Sequence, residues 1–345
     1  MGELNENHAE PLRRFDGPRD GVDAACDMAL SACATVARGF EFLQSMGPSQ
    51  WGPVIKSAGD CFNAALREIR SRLSAEDWKC VVEEIIRSHP VFQNFQHDPL
   101  TRRAYCKPRG YPGDAVLVDF LYRHSSVDRR VREASELGRA LYSYTSNSAA
   151  ARAARNRLAI VAAEIDGLAS RRQRPDVLSI ACGHMREVEA CPAVRECRLG
   201  RFVGLDQDEL AISVVRGEYG PLGVDGRLTP LFRTLAGLEK RIGKFDLVYC
   251  MGLFDYLPPS WAPRFMSGFF SLLKDGGKLV IGNFAPSGSD VAYMEAFMDW
   301  WLVYRDQDEM RALARALPQD LVSACRVHFE ETRHIMFLEI ERRTE

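Results

Sequence analysis

The sequence lacks long apolar runs, an excess of one charge and an apolar signal segment. No stretch approaches the roughly 20 apolar residues that a membrane-spanning helix needs, and residues 1–10 are polar and acidic. The 45 Lys and Arg nearly balance the 47 Asp and Glu. This leaves no basic field to attract nucleic acid or an anionic membrane. We therefore expect a cytoplasmic protein that binds neither.

The ten cysteines contain no Cys-x-x-Cys pair. This spacing argues against a zinc ribbon and a thioredoxin-like redox motif. In a long chain without a secretion signal, cysteines are typically reduced thiols rather than a disulfide framework. We predict neither a disulfide framework nor a metal site.

The length of 345 residues predicts two regions, because one ordinary domain has roughly 100–200 residues. Apolar residues recur at helical spacing in 20–42, 51–73 and 75–86, the last opening behind Ser74 as its N-cap. A further amphipathic helix is predicted over 148–165. We expect residues 1–150 to form a helical lid or substrate-binding region and residues 151–345 to form the second domain.

Residues 95–114 are rich in Pro, Gly, Arg and Tyr and show no apolar period. The pattern predicts a loop. Its interleaved cations and aromatics, among them Arg109 and Tyr111, favour a loop that covers a ligand site. Two alternatives stay open: the segment is a plain surface connector, or Arg109 pairs with Asp114 and braces its own loop.

After residue 175, short β-type runs alternate with helical segments. This alternation predicts a doubly wound parallel sheet, and two final runs joined by a tight turn predict an antiparallel hairpin at its edge. The predicted strands are 177–181, 201–206, a weaker one near 227–232, 245–251, 278–284, 325–330 and 335–340. The predicted helices are 208–219, 262–273 and 291–316.

The loop after the first predicted strand, Ala181-Cys-Gly-His-Met185, contains a single glycine, Gly183. A dinucleotide fingerprint needs three glycines so that the backbone can approach a pyrophosphate closely. The loop therefore argues against NAD or FAD. Asp206, at the end of the second strand, has the spacing of an acid that binds ribose hydroxyls. Together the two features favour a ligand with an adenosine and no phosphate.

The fourth strand runs into Gly252, Asp255 and Tyr256, and Lys274-Asp-Gly-Gly-Lys-Leu-Val-Ile281 turns into the fifth. With the first two strand ends, these segments resemble the class I S-adenosylmethionine-dependent methyltransferases over about residues 174–341. The resemblance implies a Rossmann-like, seven-stranded sheet, with S-adenosylmethionine (SAM) as cofactor and S-adenosylhomocysteine as product. It places Ala181, Gly183 and Asp206 around the cofactor and Met251, Gly252 and Asp255 near the reacting centre. We predict that His184, Met251 and Gly252 also bind the cofactor.

Two departures from this pattern concern the cofactor loop and the adenine. The usual glycine-rich first loop is reduced to one glycine. The third strand ends around residues 229–233 without the acid that often holds the adenine.

Two further segments, Lys107-Pro-Arg-Gly-Tyr-Pro-Gly-Asp-Ala115 and Asp299-Trp-Trp-Leu-Val-Tyr-Arg305, resemble a bacterial subgroup. Its members form methyl esters of hydroxy-fatty acids, and a related branch cyclises SAM to azetidine-2-carboxylate. The resemblance implies methyl transfer to a small organic acid in secondary or signalling metabolism. Two alternatives stay open: cyclisation with release of methylthioadenosine, and a non-catalytic module that binds SAM.

A carboxylate acceptor is already ionised near neutral pH and needs a cation rather than a base. Arg109 and Arg305 are the candidates, with Tyr111 and Tyr304 as hydrogen-bond partners. A hydroxyl or amine acceptor needs a base, for which His184, His334 and Asp255 are available. Aromatic faces such as Tyr256 can stabilise a sulfonium. The predicted catalytic residues are thus Arg109, Tyr111, Asp255, Tyr256, Tyr304 and Arg305.

For two helices, a purely structural interpretation of the candidate residues is the alternative. Trp300, Trp301 and Tyr304 fall on the predicted helix 291–316, where aromatics at this spacing are commonly core. Asn147 and Arg152, at the start of the helix before the sheet, are predicted to line the cofactor cavity. A solvated position is the alternative for Arg152.

Overall fold

The computed structural model describes residues 19–230, 235 and 237–344. The chain divides into two compact units. The first comprises the described residues up to Cys106, with Arg130–Thr145 and Ser289–Trp300; the second comprises Lys107–Arg129, Ser146–Gly288 and the chain from Trp301 onward. The units interleave along the chain, whereas the sequence predicts one boundary at residue 150. The role of the helical region as a lid stays a prediction.

The α-helices of both units are numbered in chain order. They are α1 (Arg19–Leu43), α2 (Trp51–Ser71), α3 (Ala75–Cys80), α4 (Val91–Phe95), α5 (Pro99–Cys106), α6 (Ala115–Tyr122), α7 (Asp128–Glu133), α8 (Glu136–Thr145), α9 (Ala149–Arg171), α10 (Pro192–Arg195), α11 (Glu209–Val214), α12 (Leu238–Ile242), α13 (Ala262–Ser271), α14 (Val291–Met298) and α15 (Gln307–Arg315). π-Helical turns extend α3 through Val81–Ile86 and α11 through Val215–Tyr219. In the described part of the chain, no helix combines the length and apolarity needed to cross a membrane.

The first unit is helical, and the predicted helices 20–42, 51–73 and 75–86 are confirmed. The Ser74 hydroxyl accepts a hydrogen bond from the Asp77 amide and caps α3 as predicted. The loop prediction for 95–114 is wrong over α5. The amides of Leu100 and Thr101 donate to the buried Asp98 carboxylate, and Pro99 takes the first helical position, where its missing N–H costs nothing.

A buried carboxylate on α14 ties this late helix to α2 and α3. The Glu295 side chain accepts hydrogen bonds from the Arg70 guanidinium at 2.6 and 3.0 Å and from the Trp78 indole at 2.7 Å. A buried acid needs such partners, because an unpaired charge is costly away from water. The pairing explains why residues 289–300 belong to the first unit.

The second unit contains a seven-stranded sheet, and the predicted fold class is confirmed. The strand order is β3-β2-β1-β4-β5-β7-β6; β1 to β5 pair in parallel, and β7 is antiparallel to both β5 and β6. The strands are β1 (Val177–Ile180), β2 (Phe202–Asp206), β3 (Val224–Leu228), β4 (Phe245–Cys250), β5 (Leu273–Phe284), β6 (Val322–Phe329) and β7 (Ile335–Arg342).

Several predicted boundaries are wrong. The fifth strand begins at Leu273 rather than at Lys278, and the third strand also begins early. It begins at Val224 rather than near Arg227, because it pairs from Val224 with Phe202 onward to Leu228 with Asp206. Residues 231 and 232 of that prediction lie outside the described residues.

The prediction of one helix over 291–316 is also wrong, because it is two helices, α14 in the first unit and α15 in the second. α14 stops where Asp299 adopts a left-handed backbone with φ 47°, and α15 begins at the capping box of Asp306 and Glu309. Trp300, Trp301 and Tyr304 therefore lie in an irregular segment. The amides of Val303 and Arg305 donate to the Asp255 and Phe284 carbonyls, which anchors this segment at two strand ends.

Candidate active site

The ends of the parallel strands place the candidate residues at one edge of the sheet. Strand order reverses between β1 and β4, and ligands of doubly wound sheets bind outside the carboxyl ends of the strands at such a point. The loop after β1 carries Ala181 to Met185, Asp206 closes β2, and the loop after β4 runs from Met251 to Tyr256. The topology thus brings three predicted groups to one edge.

The loop after β1 has an unusual backbone. Ala181, Gly183 and Met185 have φ of 52°, 54° and 53°, in the left-handed region that is costly for residues with a side chain. A Cβ on Gly183 would lie 3.4 Å from the Ala115 Cβ, so glycine suits the position both for its φ and for close packing. The Gly183 amide donates to Asp206 Oδ2 at 2.8 Å. The loop is therefore fixed to the end of β2.

The Asp206 carboxylate links this loop with the turn after β2. It is 7% exposed, and its Oδ1 accepts the Asp208 amide at 2.9 Å. Burial raises the pKa of Asp206, against the effect of these backbone hydrogen bonds. Each carboxylate oxygen has a second lone pair, so the side chain can still accept hydroxyl donors.

The loop from Lys107 to Asp114 belongs to the same unit and reaches the end of β2. Arg109 Nη1 lies 2.6 Å from Asp208 Oδ2 in a largely buried ion pair, so this guanidinium binds a carboxylate beyond its own loop. The Asp114 carboxylate accepts the Leu117 amide and caps α6. The structure thus pairs Arg109 with the N-cap residue of α11 rather than with Asp114, and a role of this loop in covering a ligand stays a prediction.

Tyr111 joins the same region to the end of β4. Its ring lies edge-to-face against the Tyr256 ring, with centroids 6.4 Å apart. Burial, followed by the negative charges of Asp206 and Asp208, raises the pKa of the Tyr111 hydroxyl. The hydroxyl therefore stays protonated and acts as a hydrogen-bond donor at neutral pH.

Asp255 is the buried acid of the loop after β4. Its Oδ1 accepts the Phe284 amide at 2.7 Å. Burial raises the pKa of Asp255 to about 7, although this hydrogen bond and the charges of Arg157 and Arg305 act in the opposite direction. On the same loop, a Cβ on Gly252 would meet no other described atom within 4 Å, so open space lies beside that residue.

The pKa of Asp255 predicts a pH dependence of stability. Because its folded-state pKa lies above its ordinary value of 3.8, its contribution is complete below about pH 4 and is lost as pH rises through about 7. Asp255→Asn stays neutral, so its Tm should fall less than the wild-type Tm between about pH 5 and about pH 8. Thermal unfolding across this range measures the difference. The exposed Asp320→Asn variant is the control and should follow the wild type; equal slopes for all three proteins would contradict the assignment.

Arg305 lies where its guanidinium braces two strand ends. It is buried and donates to the Phe254 carbonyl and Asn283 Oδ1 at 2.6 Å each, and to the Leu257 carbonyl at 2.5 Å. Tyr304 precedes it in the irregular segment and is half-buried. The structure thus places Arg305 as a support of the loop after β4, and a role in holding an acceptor stays a prediction.

The two predicted residues at the start of α9 contact each other. Arg152 Nη1 donates to the Asn147 carbonyl at 2.7 Å, and both side chains are exposed. The neighbouring Arg155 donates to the Leu121 and Ser146 carbonyls. Arg152 thus binds the chain just before its own helix, and a role of either residue in the cofactor cavity stays a prediction.

Arg157, which is absent from the residues predicted from the sequence, is the arginine of α9 that reaches the site. It is 7% exposed, its Nη1 donates to the Met251 carbonyl at 2.6 Å, and the Tyr122 hydroxyl is a further partner. Its Nε is buried without a hydrogen-bond partner among the described residues. The helical spacing of the sequence indicates this position, because Arg157 lies on the same face of the helix as the buried residues Ala150, Ala153, Ala154 and Val161.

His184 follows Gly183 in the β1 loop and is buried. Its Nδ1 lies 2.9 Å from Asp119 Oδ2 on α6, and the same carboxylate binds Arg186.

The candidate site combines the Asp206 carboxylate at the end of β2, the Asp255 carboxylate in the loop after β4 and the Arg157 guanidinium, which binds that same loop. This arrangement can hold hydroxyl donors, a carboxylate and a planar or cationic group.

Comparison with known proteins shows the fold. No family model and no curated protein matches the chain. Among solved structures, a possible exported protein from Bordetella parapertussis is 17% identical over 75% of this chain and 98% of that one, with a TM-score of 0.50. Magnesium protoporphyrin IX methyltransferase from Synechocystis PCC 6803, with bound SAM, is 14% identical over 66% and 97%, with a TM-score of 0.40. The CurJ carbon methyltransferase is 10% identical over 94% and 92%, with a TM-score of 0.48. At 17% identity, the first likeness shows the fold alone.

Proposed function

We propose that the protein is a SAM-dependent methyltransferase that acts on a small organic acid. The observation that carries the proposal is the Asp206 carboxylate, fixed by the Gly183 amide beside the point where strand order reverses. A carboxylate here suits the two vicinal hydroxyls of a ribose. A loop with one glycine and the bulky His184 and Arg186 suits a nucleoside without phosphates.

The residues present fit SAM by the chemistry of their donors and acceptors. Asp206 would accept the ribose hydroxyls. The orphaned Arg157 Nε, which needs an acceptor, would bind the carboxylate of the amino-acid part. When bound, SAM supplies a methyl group activated by its sulfonium.

The acceptor end of the site is assigned to the loop of Arg109 and Tyr111. A carboxylate acceptor requires positioning and a cation rather than a base. Arg109 retains donors beyond the Nη1 that binds Asp208, and the protonated Tyr111 hydroxyl adds another. The Tyr111 and Tyr256 rings offer aromatic faces for a cationic sulfur. Arg305 stabilises this site indirectly, because its guanidinium donates hydrogen bonds to the Phe254 and Leu257 carbonyls in the loop after β4.

A second candidate function is intramolecular cyclisation of SAM. In that reaction the amino nitrogen displaces the sulfur at the γ-carbon, which gives azetidine-2-carboxylate and methylthioadenosine, and the nitrogen must lose a proton. The observation that favours it is the buried His184, whose Nε2 has no partner among the described residues and can take that proton. Methyl transfer to a carboxylate needs no such base.

One experiment separates these functions. Purified protein is incubated with SAM alone and then with a panel of small carboxylic acids, and the nucleoside product is identified by mass. We expect S-adenosylhomocysteine only when an acceptor acid is present. Methylthioadenosine without an acceptor would favour cyclisation instead. Calorimetric binding of SAM without either product would point to a non-catalytic module, and absence of binding would refute the proposed function.

A further inference from the structure

His184 has one ring nitrogen engaged and one that the fold leaves without a partner. The side chain is 5% exposed, and Nδ1 lies 2.9 Å from Asp119 Oδ2. Nε2 is buried and has no hydrogen-bond partner among the described residues. Buried polar atoms are nearly always hydrogen-bonded in native proteins, so this nitrogen calls for a partner beyond the described residues.

The partner on Nδ1 determines what Nε2 can do. Burial would raise the pKa of Asp119, but hydrogen bonds from His184, Arg186 and Ser126 outweigh it and hold that pKa well below its usual range. Asp119 is therefore ionised and can only accept hydrogen bonds. Nδ1 must carry a proton to donate to it. In the neutral imidazole, Nε2 is then the acceptor.

The surrounding charges favour a cationic donor. Asp119 lies on α6, while Arg186 and Glu189 follow His184 along the chain, and Glu218 lies in the turn that extends α11. Arg186 forms ion pairs with all three carboxylates, and the Tyr219 hydroxyl joins Arg186 and Glu189. Three carboxylates share the one guanidinium of Arg186, and His124 lies 3.0 Å from one of them, Glu189, so carboxylates outnumber the arginine in this cluster. Such a site attracts an ammonium more than a neutral hydroxyl.

We propose that His184 Nε2 accepts a hydrogen bond from the α-ammonium group of the bound nucleoside amino acid, with Asp119 as the positioning residue that fixes the tautomer. The inference rests on the proposed function, because it takes SAM as the ligand. The other polar groups of that ligand fit less well: its carboxylate cannot donate, and its ribose hydroxyls face Asp206 in the proposed site. His184 follows Gly183 directly, so it occupies the same strand end as the cofactor loop.

Imidazole ¹⁵N spectra test the contact directly. Protein labelled at its seven histidines is compared with His184→Asn, which identifies the His184 signals. The inference requires a protonated Nδ1 and an unprotonated Nε2 in the free protein, and a protonated Nε2 would refute it. S-adenosylhomocysteine, which keeps the ammonium, should shift the Nε2 signal. Methylthioadenosine, which lacks the amino-acid part, should not.

The outcomes distinguish this inference from the proposed function. If calorimetry shows that S-adenosylhomocysteine binds but the Nε2 signal does not move, or if methylthioadenosine moves it equally, the inference is wrong and the proposed function stands. If neither S-adenosylhomocysteine nor methylthioadenosine binds, the proposed function fails and the inference fails with it.

Asp119→Asn tests the positioning role. Its amide can donate to Nδ1, which moves the proton to Nε2 and turns the acceptor into a donor facing an ammonium. We expect affinity for S-adenosylhomocysteine to fall about tenfold or more, while affinity for methylthioadenosine stays near the wild-type value and reports that the fold is intact. Ser126→Ala removes a neutral hydrogen bond from the same carboxylate and is the matched control. Equal losses for both ligands in Asp119→Asn would refute the positioning role.

Discussion

Replacing Asp206 by Asn is expected to weaken binding of SAM and S-adenosylhomocysteine about ten- to a hundredfold, the equivalent of about 1.5–3 kcal/mol for lost hydrogen bonds to a charged acceptor. The wild-type carboxylate accepts the Gly183 and Asp208 amides and, in the proposed site, the ribose hydroxyls. The amide of Asn replaces one acceptor oxygen with a donor, which then faces other donors. Isothermal titration calorimetry with S-adenosylhomocysteine measures the change.

The control for this variant is Asp225→Asn on the neighbouring strand β3, where the aspartate is exposed and pairs with Arg227. It should bind like the wild type. Since Asp206 also fixes the β1 loop, a thermal unfolding curve establishes that the variant is folded before its affinity is compared. A folded Asp206→Asn protein with wild-type affinity would remove this carboxylate from the ligand site.

The sequence was enough to predict the sheet, because strands that alternate with helices allow few arrangements. The same argument predicts that Gly183, Asp206 and Asp255 lie near one another. The carboxyl ends of parallel strands meet at one edge of the sheet, whatever the conformation of the loops that follow them. The predicted helix 291–316 was wrong for a local reason. Its apolar spacing continues across Asp299, but the left-handed backbone there and the capping box that begins at Asp306 divide it. The Asp306-x-x-Glu309 pattern of this capping box is present in the sequence.

The partners of individual side chains could not be predicted from the sequence, because they depend on groups that are far apart in the chain. Arg109 pairs with Asp208, 99 residues away, and Arg305 with the Phe254 carbonyl, 51 residues away. The two segments that resemble the methyl-ester-forming subgroup point to both as cations near a site, but they do not show whether each guanidinium already binds a group of the protein. Arg157, by contrast, could have been identified from the sequence, because a charged residue on the buried face of an amphipathic helix is unusual.

The second large effect is expected at Arg157. Arg157→Met removes a buried cation that lies among Glu187, Asp255 and the Met251 carbonyl. Burial raises the pKa of Glu187 while the Arg157 charge lowers it, so loss of that charge leaves two buried acids less well compensated. We expect a loss of about 3–5 kcal/mol in the free energy of unfolding, as when one partner of a buried ion pair is removed. Chemical denaturation measures it.

The same variant separates a structural from a ligand-binding role. If Arg157 Nε binds the carboxylate of the amino-acid part, Arg157→Met should weaken S-adenosylhomocysteine binding about tenfold or more and leave methylthioadenosine, which has no carboxylate, nearly unaffected. Arg157→Lys keeps the charge but loses the planar fork, so it should recover stability more fully than affinity. Arg171→Met, at an exposed position in the last turn of the same helix, should change neither quantity. A purely structural Arg157 would weaken both ligands equally, and the carboxylate assignment would then be wrong even though the buried charge is essential to the fold.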